Sequence, residues 1–411
     1  MPSLDLAFVR RQFPPLGNGW AFFENAGGSY VPESVIERVR SYMSELQLQP
    51  SWSFGPSAEA AARIAEGKRL MAAFVGAEAD EVIVGPSTTM NIYLLVQALR
   101  PSLKPGDEIV VTNQDHEANV GAWRRLGEAG VVIREWRLDP ETALLDPAAL
   151  DGLLGPRTRL VAMPHCSNVV GCFNDVAAVA GKVHGAGAML MVDGVAAAPH
   201  RAVDVKALDV DFYAFSLYKT FGPHQALLYG KRTLLEKLAP LNHFFITESP
   251  AKLLPGGANH ELTAGLVGIA DYFDLLDRHH FDQPENAFHG RVGRVYGLIE
   301  AHERVLAERV LAYLRAKPGV RIVGRDSTAS GERAPTISFT VARRRSGDVA
   351  RALNREKIAI GHGDFWGRRC VEALGLSPED GVVRVGIAHY NDDGDVDRLL
   401  AALDRVLGAP A

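Results

Sequence analysis

The residues with chemistry to offer fall at the ends of apolar runs. In Asp211-Phe212-Tyr213-Ala214-Phe215-Ser216-Leu217-Tyr218-Lys219, followed by Thr220-Phe221-Gly222-Pro223-His224, one lysine sits where a buried strand turns. Burying an ammonium is costly, so this lysine either reaches the surface from a loop or works with a depressed pKa. A neutral amine is what a carbonyl cofactor such as pyridoxal phosphate (PLP) needs for covalent attachment. Gly85-Pro86-Ser87-Thr88-Thr89 marks a strand handing over to a helix. Free N–H groups, small hydroxyls and the helix dipole can hold a phosphate there, or Ser and Thr can simply cap the helix. His116, in Asp115-His116-Glu117, has a ring that can lie on a flat cofactor or merely sit in a loop. Asn168 offers an amide after a further strand end. Asp193, in Met191-Val192-Asp193-Gly194, needs a cation at the end of an apolar strand. A protonated pyridine nitrogen would serve; a helix cap or a salt bridge would too. Arg384, inside Val382-Val383-Arg384-Val385-Gly386, can bind a carboxylate through two parallel hydrogen bonds or close an internal salt bridge.

These side chains must be carried to one place, and the periodicity of the chain supplies the means. Helices at 32–46 and 58–75 lead in. Strand-like segments at 81–85, 108–112, 131–137, 159–164 and 189–192, and the run before Lys219, then alternate with helical ones at 87–99, 118–129, 147–154 and 176–184. Repeated strand–helix units at this spacing imply a mostly parallel sheet covered on both faces, with ligands beyond the carboxyl ends of the strands. The motifs from Ser87 to Lys219 fall at such ends. After Gly230 the pattern changes to a Gly- and Pro-rich loop at 253–259, a helix at 263–277 and a long amphipathic helix at 288–315. Short strands at 321–323, 336–341 and 382–387 and a helix at 395–407 follow. The fold class is α/β, with a large mostly parallel-sheet domain over 30–280 and a smaller α+β domain over 281–411. Residues 1–29 form an arm that joins the small domain.

Composition narrows the partners. The 411 residues are 47% hydrophobic and 23% charged, as in an ordinary globular chain with room for two domains. A net charge of −5 offers no basic field for nucleic acid and no polybasic anchor. No window approaches the ~18 apolar residues of a membrane span. Cys166, Cys172 and Cys370 make neither a disulfide framework nor metal spacing, which points to the cytoplasm and to no metal site.

Taken together, the phosphate cradle, histidine, amide, carboxylate, lysine and arginine resemble the class V (fold type I) PLP-dependent aminotransferase family in its cysteine desulfurase-like branch. The resemblance runs from Phe23-Glu24-Asn25-Ala26-Gly27-Gly28 to Arg384-Val385-Gly386-Ile387-Ala388-His389-Tyr390-Asn391. Asp193-Gly194, Ser216-x-Tyr218-Lys219 and Phe221-Gly222-Pro223-His224 are its specific pieces. It implies that Lys219 holds PLP and moves the substrate's Cα proton, that His116 stacks on the ring and that Asp193 faces the pyridine nitrogen. Asn168 would sit by the ring oxygen, and Ser87, Thr88, Ser216 and Tyr218 would bind the phosphate. Arg384, with Asn168 nearby, would hold the α-carboxylate of an amino acid. The substrate would also meet Asn25, Ala26, Gly27, His362, Asp364 and Trp366. The family further implies a homodimer with the active site at the interface.

Departures from the family pattern bear on the reaction. Desulfurases of the family carry a catalytic cysteine in a loop reading Arg-x-Gly-x-His-Cys. In the corresponding stretch, Gly361 to Cys370, Trp366 takes the cysteine's register and Cys370 falls four residues later at a helix start. Ala196 replaces a glutamine, Tyr218 a histidine, and Gly256-Gly257-Ala258-Asn259 replaces Gly-Thr-Pro-Asn, leaving the backbone of Gly257 to reach a phosphate. A persulfide-forming role needs an exposed thiolate. The expected activity is therefore a C–S lyase that performs β-elimination without a cysteine nucleophile and without a sulfur-acceptor protein. Transamination or epimerisation shares its first step, and a PLP-binding protein with little turnover is a third reading.

Overall fold

The computed structural model describes residues 2–328 and 331–408. Seven strands form the central sheet: β1 (Val82–Gly85), β2 (Glu108–Thr112), β3 (Val132–Trp136), β4 (Thr158–Pro164), β5 (Met189–Asp193), β6 (Phe212–Ser216) and β7 (Ala226–Gly230). Their spatial order is β1-β7-β6-β5-β4-β2-β3. The pairs β6–β5, β5–β4, β4–β2 and β2–β3 are parallel, and β7 alone runs against its neighbours. Alternate residues enter two different cores. Val110, Val161, Val192 and Phe215 pack on one face. Ile109, Val111, Leu160, Met191 and Phe212 pack on the other. Burial on both faces is why these strands read as continuous apolar runs rather than as an alternation. The edge strand β3 is the exception, with Arg134 and Glu135 only partly buried.

A second sheet, antiparallel, orders β8 (Val320–Ile322), β9 (Thr336–Val341), β10 (Gly361–Gly363) and β11 (Val382–Gly386) as β10-β11-β9-β8. Its core includes Ile337, Phe339, Val383 and Val385 and the end of the 28-residue helix Phe288–Arg315. Ala21 and Phe23 from the N-terminal arm are buried in that same core, and Ala21–Phe22 pairs in parallel with Ile358–Ala359.

Three local readings differ from the sequence expectation. The helix anticipated at 118–129 is a succession of short turns, Glu117–Asn119, Gly121–Arg124 and Arg125–Ala129. Gly121 and Gly127 weaken regular helix there, and Gly130 ends it at φ 83°. The single helix at 263–277 is two, His260–Gly265 and Val267–His280, meeting at Leu266. β7 is a strand beyond those expected from the sequence, since a five-residue apolar run does not distinguish strand from buried helix.

Candidate active site

The carboxyl ends of the parallel strands converge on two adjoining clefts. An inner one is lined by Ser87, Thr88, Asp115, His116, Asn168, Asp193, Ser216, Tyr218 and Lys219. An outer one shares His116, Asn168, Tyr218 and Lys219 and adds Glu24, Gly27, Tyr93, Phe365, Trp366 and Arg384.

Lys219 leaves β6 on one 3-10 turn, Leu217–Lys219. The turn is held from two sides. Gly222 N donates to Leu217 O at 2.9 Å, where a Cβ on Gly222 would come within 3.0 Å of that oxygen. Ser29 Oγ, from the arm, donates to Tyr218 O and accepts from Phe221 N at 3.0 Å. Among the described residues no carboxylate lies within ion-pair distance of the Lys219 amine. Burial, and then the charge of Arg384, lower its pKa to about 8, against the pull of Asp193 and Glu24. The lysine is therefore half-buried in the cleft wall, with an amine that titrates near pH 8.

At one end of the inner cleft, the helix Thr88–Leu99 begins with Ser87 as its cap, accepting from Met90 N at 3.1 Å. Thr88 Oγ1 and Ser216 Oγ lie 2.8 Å apart, so two hydroxyls and a helix N-terminus meet there. Tyr218 is stacked on His224, ring centroids 4.2 Å apart. At the other end, Asp193 Oδ1 accepts from Val195 N at 2.8 Å. None of the described residues donates to its second oxygen. Burial raises the Asp193 pKa above the usual carboxylate range, and nearby Asp115, buried as well, is raised by burial and by the Asp193 charge. Among the described residues no cation forms an ion pair with the Asp193 carboxyl, and the only charge that draws its pKa down is the more distant one of Lys219. Gly194 is obligatory beside it, because a Cβ there would fall 2.1 Å from the Tyr213 hydroxyl. His116 Nδ1 accepts from Ala118 N at 3.0 Å, which fixes the ring. Burial, Lys219 and Arg384 lower its pKa to about 3, keeping the imidazole neutral. These groups fit a flat pyridine phosphate: hydroxyls and a helix N-terminus for the phosphate, a buried carboxyl for the ring nitrogen, a neutral ring and an amine between.

The outer cleft holds further sequence candidates and one that was missed. Arg384 is buried; its Nη1 donates to Asn168 O at 3.2 Å and its Nη2 to Glu24 Oε1 at 2.6 Å. Glu24 was not among the candidates, although an acid directly after the apolar pair Phe22-Phe23 was the available signal. Asn168 Nδ2 donates to Phe365 O at 2.8 Å, so the free atom of this amide is the acceptor Oδ1, buried without a partner. Trp366 stands at the lip, 75% exposed, with its carbonyl accepting from Glu117 N at 2.8 Å. Phe365 and Trp366 both adopt positive φ, 50° and 61°.

Five candidates do not line either cleft. Asn25 is a buried clamp, donating to Phe22 O, Gly386 O and Asn391 Oδ1 and accepting from Tyr390. Ala26 packs beside Gly386. His362 points from β10 toward Gly347 and is exposed, and Asp364 caps Trp366 N at 3.0 Å. Gly257 lines a separate apolar groove with Ile64, Lys68 and His243. All three cysteines are buried. Burial pushes the Cys370 thiol up to about 12, and that of Cys166, in the inner wall, higher still.

The family described as Aminotransferase class-V matches residues 21–287 and 295–399. The chain is 39% identical to the Aminotransferase-like protein FGM3 of Gibberella zeae over 98% of this chain and 99% of that protein. It is 37% identical to the Cysteine desulfurase-like protein ustD of Aspergillus flavus, over 98% of this chain and 91% of that one. Among solved structures, the cysteine desulfurase CsdA of Escherichia coli superposes with a TM-score of 0.84 at 29% identity over 98% of each chain.

Proposed function

The chain belongs to the class V aminotransferase family and is a PLP-dependent enzyme acting on amino acids; on that premise we propose that it expels a β leaving group, such as the sulfur of a cysteine derivative, from its substrate. When bound, the cofactor supplies an electron sink that labilises bonds at Cα. Thr88, Ser216 and the helix N-terminus would hold the phosphate, Asp193 the ring nitrogen, and His116 one face of the ring. Arg384 orients the α-carboxylate. Lys219 would hold the cofactor's carbonyl carbon, and its Nζ takes the Cα proton, a role suited to an amine with a pKa of about 8. The leaving group departs toward Gly27 and Trp366, which line the outer cleft. Water completes the balance, giving pyruvate, ammonia and the protonated leaving group.

The observation that carries this reading is the state of the thiols. A persulfide-forming cysteine has to be exposed and ionisable. Here all three are buried, and Trp366 occupies the lip of the cleft. No sulfur-acceptor protein is then required. The test is to offer L-cysteine, cysteine sulfinate, cysteine S-conjugates and alanine to the cofactor-loaded enzyme and to assay pyruvate and sulfide. Pyruvate from a β-substituted substrate and none from alanine supports elimination; pyruvate from none of them sinks it.

The same reading takes the protein as a cytoplasmic homodimer. Support comes from the apolar groove at Gly256 and Gly257 and from Phe244, 92% exposed in the segment beside it. Light scattering that finds a monomer would contradict this.

A further inference from the structure

Arg384 does not stand free in the outer cleft. The arm brings Glu24 to it through backbone pairing: Ala21–Phe22 lies along Ile358–Ala359, and Glu24 bridges in parallel to Gly386, two residues beyond Arg384. The 2.6 Å contact between Glu24 Oε1 and Arg384 Nη2 is the strongest kind of side-chain hydrogen bond, with both partners ionised and the arginine buried. Glu24 Oε2 is also buried, and no group among the described residues donates to it. Room for this carboxylate is built by two glycines. A Cβ on Gly27 would come within 2.6 Å of Oε1, and one on Gly361 within 2.6 Å of Oε2. The remaining freedom of the guanidinium is small, with Nη1 on the Asn168 carbonyl and Cζ 3.6 Å from the centre of the Phe365 ring. A substrate carboxylate arriving at Arg384 therefore meets a closed ion pair instead of an open cation.

We propose that Glu24 is a specificity-determining residue, the resident carboxylate of the Arg384 subsite, and that the substrate's α-carboxylate binds by displacing it. The inference rests on the reading of Arg384 as the carboxylate-binding residue. Binding is then an exchange of one anion for another at a fixed guanidinium. The half-bonded state of Glu24, one oxygen on Arg384 and one without a donor, makes it the weaker ligand of the two. A bidentate α-carboxylate takes the place of a carboxylate that uses a single oxygen. A simple carboxylate with no amine to anchor it has little to offset that exchange and binds poorly.

The experiment measures propionate and propionamide binding to the cofactor-loaded enzyme by calorimetry. Wild type is compared with Glu24→Gln, Glu24→Ala and the double variant Glu24→Gln/Arg384→Gln, and L-alanine binding is measured in wild type and Arg384→Gln. The two Glu24 variants are expected to bind propionate at least tenfold more tightly than wild type, with propionamide unchanged, the double variant to lose that gain, and Arg384→Gln to lose L-alanine binding. Two Glu24 variants keep the test open should one fail to fold. Propionate affinity that is unchanged or weaker in both Glu24 variants, while Arg384→Gln loses L-alanine binding, overturns the gate and leaves the carboxylate site standing. A propionate gain that survives in the double variant, or L-alanine affinity unchanged in Arg384→Gln, removes the carboxylate site itself, and the gate with it.

Discussion

The depressed pKa of Lys219 has consequences that can be measured without any cofactor. Burial is the larger cause and the Arg384 charge the next, and together they bring the amine from 10.5 to about 8. At pH 7.5 an amine with that pKa is neutral in about one quarter of molecules, against about one in a thousand for an ordinary lysine. The gain in reactive amine is thus about two hundredfold. The sign for stability is the reverse: because the folded-state pKa lies below the unfolded one, the unfolded chain binds more protons between pH 8 and 10.5. Lys219 therefore costs the cofactor-free fold about 3 kcal/mol below pH 8, and this cost disappears as the pH rises through that window. Competitive labelling of cofactor-free protein with acetic anhydride, read by peptide mass spectrometry, reports the amine directly. Labelling of Lys219 should rise with a midpoint near pH 8, ahead of a free lysine standard included in the same reaction. Arg384→Met should move that midpoint up, since it removes a neighbouring positive charge. A midpoint at 10 or above, or one indifferent to Arg384→Met, would refute the electrostatic account of the site.

Other expectations follow from single contacts. Asp193→Asn should lower turnover by roughly 10²-fold, the scale at which one preorganised electrostatic group contributes, with little effect on the melting temperature. Cys370→Ala removes a fully buried thiol beside Ser167, so it should cost about 1–2 kcal/mol in denaturant unfolding and leave pyruvate formation intact. Gly268→Ala should destabilise the fold by about 1–3 kcal/mol through overpacking, because its Cβ would fall 2.5 Å from Val35 Cα and 2.6 Å from Ser34 O. Thermal denaturation with unchanged ligand affinity would identify that loss as structural.

Much of the site was legible because its parts lie at strand ends, where a polar residue interrupts an apolar run. Asp193 and Lys219 each follow such a run, and both face the inner cleft. Ser87 caps the helix that Thr88 begins, so the capping position and the proposed phosphate-binding position coincide. What could not be read was tertiary. The Glu24–Arg384 pair spans 360 residues and depends on how the arm lies along Ile358–Ala359. Asn25 resembles a ligand in sequence, yet its amide is consumed by Phe22, Gly386 and Asn391. His362 belongs to a strand whose alternation turns it away from the cleft, and a one-residue change of face is invisible without the register. The broken helix after His116 shows the same limit in another form: two glycines and a short span override an apolar pattern that is otherwise helical.

The account turns on Lys219 as the point of cofactor attachment. Borohydride reduction of the PLP-loaded enzyme followed by peptide mapping tests this directly. The account predicts a single pyridoxyl-modified peptide, the one containing Lys219, and none in Lys219→Ala. Modification at a different lysine, with the Lys219 peptide unmodified, would contradict it.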